Sequence, residues 1–286
     1  MFHVCLVGRS HSFDKGEATR HHLGMIWIQR LLLIALAAYL ILLLLAYIFQ
    51  RSLLYFPPEF YNPPPDWMVE IEAADGSMAW WVAPARDTAP VILVFHGNAS
   101  AIDSNMAIFR DLHAQGYGVM SIGYPGYPGN AGKPTQRTLV ASAIAQHDWV
   151  LAQSISPDRI VFYGTSLGSG VATQVAANQQ PGLLILDAPF QSTQAIAKQS
   201  MWFLPVGILM KDTYRSDLAL GNLDMPLIWI HGTHDRVIPL TSGQSLYDGY
   251  SGPKTAHILE NGEHHNGWLM GGREIVLTTL AKLEAD

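Results

Sequence analysis

Hydrophobic positions divide the chain into one long apolar stretch near its start and a series of short apolar runs beyond it. Residues 31–49 carry no charge and are mostly Leu, Ile and Ala. At a rise of about 1.5 Å per residue, this stretch and its apolar flanks reach about 30 Å, the thickness of a bilayer core. It is longer than the apolar part of a cleaved signal peptide, and residues 46–50 make a poor cleavage site. We predict a retained, single-pass transmembrane anchor over residues 26–49.

The shorter apolar runs predict strands that alternate with helices. Residues 50–68 form a Pro-rich connector that cannot continue a helix, and a hairpin follows with its turn at Asp75-Gly76. Continuous apolar runs then predict buried strands near 91–95, 118–122, 158–163, 183–186, 226–230 and 255–259. Helical patterns lie near 104–115, 136–153, 171–178, 241–250 and 274–284. The alternation predicts an α/β fold over residues 69–286, with a mostly parallel sheet and helices on both faces.

An insert near residues 191–222 is large enough to form a small cap over a site. Its residues 201–210 are strongly apolar. We expect them to form a helix packed on the core, as most apolar runs do. The alternative is a lid that lines a slot for an acyl chain or faces a membrane.

Charge and cysteine content exclude some classes of function. The net charge is −6 and the basic residues are scattered, so the chain shows no nucleic-acid footprint. Cys5 is the single cysteine, so the chain cannot form an intrachain disulfide. The sequence does not indicate an oligomeric state.

Charges beside the anchor predict its orientation. Lys15, Arg20 and Arg30 precede the apolar stretch, and Arg51 follows it. The positive-inside rule therefore places the N-terminus in the cytoplasm and the large domain on the non-cytoplasmic side. Residues 1–25 form a polar, His-rich segment that we expect to be unstructured. If Met25 is the true start of the protein, the charge asymmetry nearly vanishes.

Candidate chemistry centres on residues 164–168, a G-x-S-x-G motif with Ser166 in the middle. A β-branched and aromatic run precedes the motif and an Ala-rich run follows it, which predicts a strand, a sharp turn and a helix. Such a turn lifts the serine clear of the sheet and places a helix N-terminus beside it. The simpler alternative is an ordinary strand-to-helix turn with a capping serine.

A nucleophilic serine needs a base to accept its proton and a carboxylate to orient that base. Asp235 follows the strand near 226–230, and His264 and His265 follow the last strand. Serine, aspartate and histidine thus occur in the chain order of α/β-hydrolases. Neighbouring loop side chains point apart, so only one of the two histidines can reach both partners. The residues alone do not choose between them.

Two backbone N–H groups are expected to hold a developing oxyanion. One belongs to Leu167, directly after the serine, and the other comes from the loop at residues 96–99, with Asn98 the expected donor. His96 ends a strand, and we expect it to be a buried, hydrogen-bonded loop anchor rather than a catalytic group.

The sequence offers three alternatives to a serine hydrolase: a metal site, a phosphate-binding loop and a silent scaffold. His231, His234 and Asp235 with the two later histidines offer metal ligands, but their spacing differs from that of a helical H-E-x-x-H site. Gly132-Lys133 lacks the flanking residues of a phosphate-binding loop. A catalytically silent, membrane-anchored scaffold is the third, since hydrolase folds can lose activity.

The chain from about residue 50 onward resembles the BEM46-like group of membrane-anchored α/β-hydrolases, which includes the ABHD13-type enzymes and is often grouped with serine aminopeptidase S33-like domains. The stretches that carry the resemblance are 49–57 (FQRSLLYFP), 95–99 (FHGNA), 124–134 (YPGYPGNAGKP), 164–170 (GTSLGSG), 231–235 (HGTHD) and 265–266 (HN). This group usually has Tyr-Arg-Gly-Tyr-Gly where this chain has YPGYP. It also has a small residue where His264 stands and often Asp where Gly267 stands.

The resemblance implies an α/β-hydrolase fold and a Ser166, His265 and Asp235 set, because His followed by Asn marks the catalytic histidine of the group. His264 is kept as the alternative base. The implied reaction is hydrolysis of an ester, thioester or amide through an acyl-enzyme, with no metal and no organic cofactor. A small-molecule or lipid acyl substrate, reached at a membrane surface, is expected.

Overall fold

A computed structural model describes residues 15–221 and 223–285 of the chain. Two compact units divide the chain between Ile48 and Phe49. Helix α1 (Lys15–Leu54) makes up the described part of the first unit and begins the second. Within the described residues, one helical stretch, His22–Leu54, is long and apolar enough to cross a membrane. Its length and composition agree with the predicted anchor.

Both ends of the predicted anchor differ from expectation. Residues 15–25, expected to be unstructured, continue the helix, while residues 1–14 of the predicted polar segment lie outside the described residues. At the other end, the first residues of the predicted connector are helical up to Leu54. The two prolines at 57 and 58, which cannot donate a backbone hydrogen bond, follow the end of the helix.

The second unit contains an eight-stranded, mostly parallel sheet, as predicted. The strands are β1 (Val69–Glu72), β2 (Met78–Val82), β3 (Val91–Phe95), β4 (Gly118–Ser121), β5 (Ile160–Thr165), β6 (Leu183–Asp187), β7 (Leu227–Gly232) and β8 (Lys254–Leu259). Their order in the sheet is β1-β2-β4-β3-β5-β6-β7-β8. The β1–β2 and β2–β4 pairs are antiparallel, and all other neighbours are parallel.

Helices cover both faces of this sheet. They are α2 (Met106–Ala114), α3 (Gln136–Leu151), α4 (Leu167–Gln179), α5 (Thr193–Ser200), α6 (Val206–Leu209), α7 (Ser216–Leu220), α8 (Leu240–Gly249) and α9 (Arg273–Ala285). A 3₁₀ turn, Pro157–Arg159, precedes β5, and a π-type turn, Trp268–Gly272, precedes α9.

Two hydrophobic cores lie on opposite faces of the sheet because successive side chains of a strand alternate in direction. Leu93 of β3 belongs to the core that also contains apolar residues of α3, α4 and α8. Its neighbour Ile92 belongs to the core that contains those of α2 and α9. The central strands β3, β5 and β6 are buried nearly throughout, which explains their continuous apolar sequences.

The insert between β6 and β7 contains α5, α6 and α7. Residues 201–210 do not form the core-packed helix that we expected. Trp202 is 81% exposed and Ile208 is 86% exposed, and Val206 is buried in the short helix α6. The apolar run therefore forms part of the surface of the domain.

Candidate active site

Ser166 lies in a sharp turn between β5 and α4. Its backbone angles are φ 54° and ψ −122°, a conformation that costs a non-glycine residue about 1–3 kcal/mol. Two contacts hold the turn in place. The Ser166 N–H donates to the carbonyl of Asp187 at 3.0 Å, and the Ser166 carbonyl accepts from the N–H of Ser169 at 2.9 Å. The strained position therefore carries the hydroxyl that the sequence motif singled out.

The two glycines of the motif allow close approach of neighbouring backbone. A Cβ on Gly164 would lie 2.6 Å from the carbonyl oxygen of Gly168. A Cβ on Gly168 would lie 2.0 Å from the carbonyl oxygen of Phe95, at the end of β3. Any larger residue at either position would force α4 away from the strands that it follows and packs against. The two glycines are thus needed for the packing of α4 as well as for the turn.

A chain of hydrogen bonds joins Ser166 to His264 and Asp235. The Nε2 atom of His264 lies 2.9 Å from the Ser166 Oγ, and its Nδ1 atom lies 2.7 Å from the Asp235 Oδ2. The side chains of His264 and Asp235 are 6% and 1% exposed, so little water competes for these bonds. The three residues lie beyond the carboxyl ends of β5, β8 and β7, where open parallel sheets bind ligands.

His265, which the resemblance favoured as the base, does not occupy this position. Its side chain is exposed, and its ring packs edge-on against that of His264 with centroids 4.8 Å apart. Consecutive residues in the loop after β8 point in different directions, so only the first histidine turns towards the serine. The geometric expectation for His265 is therefore wrong, and the alternative, His264, makes both contacts.

Asp235 is held in a form that can accept hydrogen bonds. Its Oδ1 accepts from the backbone N–H groups of Val237 and Ile238, both at 2.8 Å. Burial by itself would raise the pKa of Asp235, but the hydrogen bonds from His264 and from these two amides outweigh burial and lower the pKa. The carboxylate is thus ionised at neutral pH, and the Nδ1–H of His264 donates to it. This leaves Nε2 to accept from the serine hydroxyl.

The loop after β3 lies beside the serine, as the sequence predicts. A Cβ on Gly97 would lie 3.6 Å from the Cβ of Ser166. Across the described residues, the backbone N–H groups of Asn98 and Leu167 have no protein acceptor, and that of Leu167 belongs to the first turn of α4. Both expected donors are therefore free to bind another group.

Unlike the Asn98 backbone N–H, the Asn98 side chain is hydrogen-bonded to other groups of the protein. Its Oδ1 accepts from the backbone N–H of Phe56 and from the hydroxyl of Tyr127, both at 3.0 Å. Its Nδ2 donates to the carbonyl of Leu54. The sequence did not predict these contacts, since they join a polar loop to the last residue of α1, to Phe56 just beyond it and to Tyr127.

Two other histidines near the site are buried and neutral. His96 donates from Nδ1 to the Gly97 carbonyl at 2.8 Å, and burial lowers its pKa to about 4. It therefore anchors the loop, as expected. His231 bonds to the carbonyl of Ile238 through Nε2 at 3.0 Å, and burial lowers its pKa as well. Within residues 15–221 and 223–285, no group of three or more His, Cys, Asp or Glu side chains has an arrangement suited to a metal ion.

A second buried carboxyl group, that of Asp187, lies beneath the serine turn. Its Oδ2 accepts from the hydroxyl of Tyr163 at 3.0 Å, and burial raises its pKa to about 6. The only sequence signal for Asp187 is its place directly after an apolar strand. Nothing in that pattern distinguishes it from Asp235.

A pocket of about 350 Å³ lies within the insert. Apolar walls come from Trp202, Leu204, Pro205 and Val206, while Lys198 and Arg215 lie among its polar lining residues. Arg215 is paired with Asp217 at 2.6 Å. Asp217 lines the same pocket, so its carboxylate offsets the charge of Arg215, and Ser166, His264 and Asp235 are not among the lining residues.

Comparisons with known proteins agree with this architecture. The alpha/beta hydrolase fold model matches residues 90–205. An uncharacterized protein of Mycobacterium tuberculosis is 31% identical over 234 residues, which cover 78% of this chain and 83% of that protein. The lysophosphatidylserine lipase ABHD12 of Danio rerio is 30% identical over 199 residues, 63% of this chain and 51% of that lipase. The chain thus spans about half the length of the ABHD12 relative.

Two solved esterase structures share the fold at low sequence identity. The Pyrococcus furiosus esterase PF2001 has a TM-score of 0.64 at 15% identity, covering 82% of this chain and 98% of the esterase. Est1E of Butyrivibrio proteoclasticus, solved with ferulic acid bound, has a TM-score of 0.64 at 16% identity, covering 76% of this chain and all (100%) of Est1E. The strand order, the serine turn and these matches together show that the chain belongs to the alpha/beta hydrolase fold family.

Proposed function

We propose that the protein is a serine hydrolase that cleaves an acyl ester through an acyl-enzyme. The observation that carries the proposal is the unbroken set of hydrogen bonds from Ser166 through His264 to Asp235. Ser166 is the nucleophile, His264 is the general base and Asp235 orients the imidazole. His265 is assigned no role in the chemistry.

The reaction follows from the positions of the protons. As the Ser166 oxygen attacks the substrate carbonyl, its proton passes to Nε2 of His264, and Asp235 stabilises the imidazolium that forms. His264 then returns the proton to the leaving alkoxide, which departs as the alcohol. Water, deprotonated by the same Nε2, attacks the acyl-serine ester. The bond from the acyl carbon to the Ser166 oxygen breaks, the carboxylic acid is released, and His264 returns the proton to Ser166.

The negative charge on the tetrahedral intermediate needs fixed donors. We assign this role to the backbone N–H groups of Leu167, directly after the serine, and of Asn98, which follows Gly97 in the loop beside the serine. Preorganised N–H groups of this kind are worth about 10²–10³-fold in kcat each. The N-terminus of α4 adds a favourable dipole at the same point.

We further propose that the acyl group belongs to a lipid and that the reaction takes place at a membrane surface. Helix residues 26–49 serve as the membrane anchor. Support comes from the exposed Trp202 and Ile208 on the insert and from the pocket whose apolar walls lie beside Lys198. Apolar walls of this kind suit an acyl chain, and the lysine suits an anionic group attached to it. The ABHD12 relative, which bears the name of a lysophospholipid lipase, is in line with this choice.

The subgroup and the orientation belong to the same proposal. We place the chain in the BEM46-like, ABHD13-type group on its sequence motifs, with the N-terminus in the cytoplasm and the hydrolase domain on the other side. Thioester and amide cleavage, including peptidase activity, would use the same residues, but the apolar insert favours lipid esters over peptides.

Labelling with a fluorophosphonate probe tests the proposed reaction. The wild-type chain should be labelled and Ser166→Ala should take no label. His264→Ala should slow labelling by at least about 100-fold, because the serine loses its base. His265→Ala, which removes the neighbouring ring, is the matched control and should label within about threefold of the wild type.

Other outcomes distinguish the alternatives. A folded wild-type protein that takes no label and turns over no ester would support the catalytically silent scaffold. Turnover that survives Ser166→Ala and is abolished by a chelator would support a metal-dependent hydrolase. Loss of labelling in His265→Ala with retention in His264→Ala would reverse the assignment of the base.

A further inference from the structure

The C-terminal end of α1 and the residues after it, residues 50–56, make specific polar contacts that we refer to together as the strap. At one end of the strap, Asn98 holds two backbone groups at once. Its Oδ1 accepts from the Phe56 N–H, and its Nδ2 donates to the Leu54 carbonyl. The hydroxyl of Tyr127 donates to the same Oδ1. The Asn98 carboxamide is therefore committed to the strap.

The other end of the strap is bonded to the insert. The Gln50 side chain donates to the Leu209 carbonyl at 3.0 Å and accepts from the Lys211 N–H at 2.7 Å. The Arg51 Nε lies 2.9 Å from the Asp212 Oδ2. These bonds join residues that are about 160 positions apart in sequence.

The end of the strap held by Asn98 is also bonded to Tyr214, which packs against the helix that follows the serine. The hydroxyls of Tyr55 and Tyr214 lie 3.0 Å apart, and both side chains are buried. Tyr214 in turn donates its N–H to Gln136 Oε1 at 3.0 Å. A Cβ on Gly170 of α4 would lie 3.3 Å from the Tyr214 Cβ, so Tyr214 packs directly against α4.

The strap therefore links the loop at residues 96–99 to the insert and, through Tyr214, to the helix that begins at Leu167. We propose that it is part of the active-site architecture and that Asn98 is a positioning residue. Its carboxamide holds the loop so that the Asn98 backbone N–H meets the oxyanion. This inference rests on the proposed serine hydrolase function.

The position of the loop should affect the rate because an oxyanion donor acts only over a short range. A displacement of about 1 Å near reacting atoms is enough to lower a rate by about 100-fold. The loop at residues 96–99 belongs to neither a helix nor a strand, so side-chain bonds must fix its position. Asn98 supplies three of them. The strap also links this loop to the insert, so that movement of the insert is transmitted to the oxyanion donor.

Asn98→Ala in the full chain tests the inference because it keeps the backbone N–H at position 98 and removes the hydrogen bonds of the Asn98 carboxamide. Hydrolysis of p-nitrophenyl butyrate is measured, with active sites counted by fluorophosphonate titration. We expect kcat to fall by about 30–100-fold while KM changes by less than about threefold. A trifluoromethyl ketone, whose adduct with serine carries an oxyanion, should bind more weakly by the same factor. A purely structural role would lower the number of active sites but not kcat per site.

Arg51→Ala tests the link to the insert. Its matched control is Arg86→Ala, which removes a carboxylate pair with Glu284 from an arginine of equal exposure, 47% against 46%. We expect Arg51→Ala to lower kcat by about 3–10-fold and Arg86→Ala to stay within twofold of the wild type.

The possible failures are distinguishable. An active wild-type enzyme with Asn98→Ala at wild-type kcat per site overturns the positioning role but leaves the serine mechanism intact. Equal effects of Arg51→Ala and Arg86→Ala overturn the link to the insert. A folded wild-type protein that neither hydrolyses nor labels overturns the serine mechanism, and the inference with it.

Discussion

The folded protein disfavours the charged form of the Asp187 carboxyl group. Burial raises its pKa to about 6 from the ordinary value of 3.8, although the Tyr163 hydroxyl and the nearby His264 act in the opposite direction. Between about pH 4 and pH 6 the folded chain therefore holds a proton that the unfolded chain releases. In this interval the contribution of Asp187 to the free energy of unfolding falls as the pH rises.

Replacing Asp187 with Asn should remove this pH dependence. Because two pKa units correspond to about 3 kcal/mol at most, the stability of the wild type relative to Asp187→Asn should fall by up to that amount between pH 4 and pH 7. Thermal unfolding of both proteins in detergent at stepped pH measures the difference. In Tyr163→Phe, which loses a bond that favours the charged form, the fall should extend to higher pH. A difference that stays constant with pH would contradict the prediction.

Chain order and the position after a strand predicted Ser166 and Asp235, but they did not decide between the two histidines. Ser166 and Asp235 each follow an apolar strand, and parallel strands bring such residues to one edge of the sheet. The choice between His264 and His265 depends on how one short loop turns. The resemblance favoured His265, whereas His264 makes the contacts with Ser166 and Asp235. Asn266, which marks the motif, closes this turn by accepting the Glu263 N–H at 2.7 Å. Its presence shows where the turn is but not which histidine faces inward.

At the scale of single elements, strands and helices followed from hydrophobic pattern within a few residues. The hairpin predicted around Asp75-Gly76 is formed by β1 and β2, and the helix predicted near 136–153 is α3 (Gln136–Leu151). The structure of the insert did not follow from its hydrophobic pattern. Its apolar residues are as hydrophobic as those of a core segment, and composition does not distinguish a buried surface from one that faces a membrane.

The exposed side chains of the insert should affect activity on lipids and not on soluble esters. The Gln50–Leu209 hydrogen bond places Ile208 close to residue 50, which follows the proposed anchor in sequence, so we expect Ile208 to enter the membrane interface. Ile208→Ser should lower hydrolysis of a vesicle-embedded monoacyl phospholipid by about three- to tenfold, since an apolar side chain of this size contributes roughly 1.5–3 kcal/mol on burial and only part of that is realised at an interface. Hydrolysis of p-nitrophenyl butyrate should change less than twofold.

Val69→Ser provides the control for this prediction. Val69 is 55% exposed on the outer strand β1 and lies in a different part of the domain. Its replacement should leave both rates unchanged. Equal losses with the soluble and the vesicle-embedded substrate would show that the insert supports the fold of the site and does not bind the membrane.

At the scale of the whole molecule, the alternation of strands and helices predicted the fold class but not the strand order. The exchange of β3 and β4 in the sheet depends on how the chain crosses over, and no local pattern records it. The contacts of the strap were likewise not predictable from any local sequence pattern. The strap is built from scattered polar residues that are 42 to 161 positions apart, whose contacts arise only when the sheet and insert are assembled.

The single cysteine gives a direct test of the proposed orientation. Cys5 precedes the anchor in sequence, and the hydrolase domain follows it without any cysteine. With the N-terminus in the cytoplasm, a membrane-impermeant maleimide added to intact cells should label Cys5 only after the cells are permeabilised. A Cys5→Ser, Gly249→Cys chain should label without permeabilisation, because a side chain at position 249 meets no atom within 4 Å. The reverse pattern would place the hydrolase domain in the cytoplasm, as expected if the charges before Met25 do not direct insertion. Labelling of both chains in intact cells would show that the helix does not span the membrane.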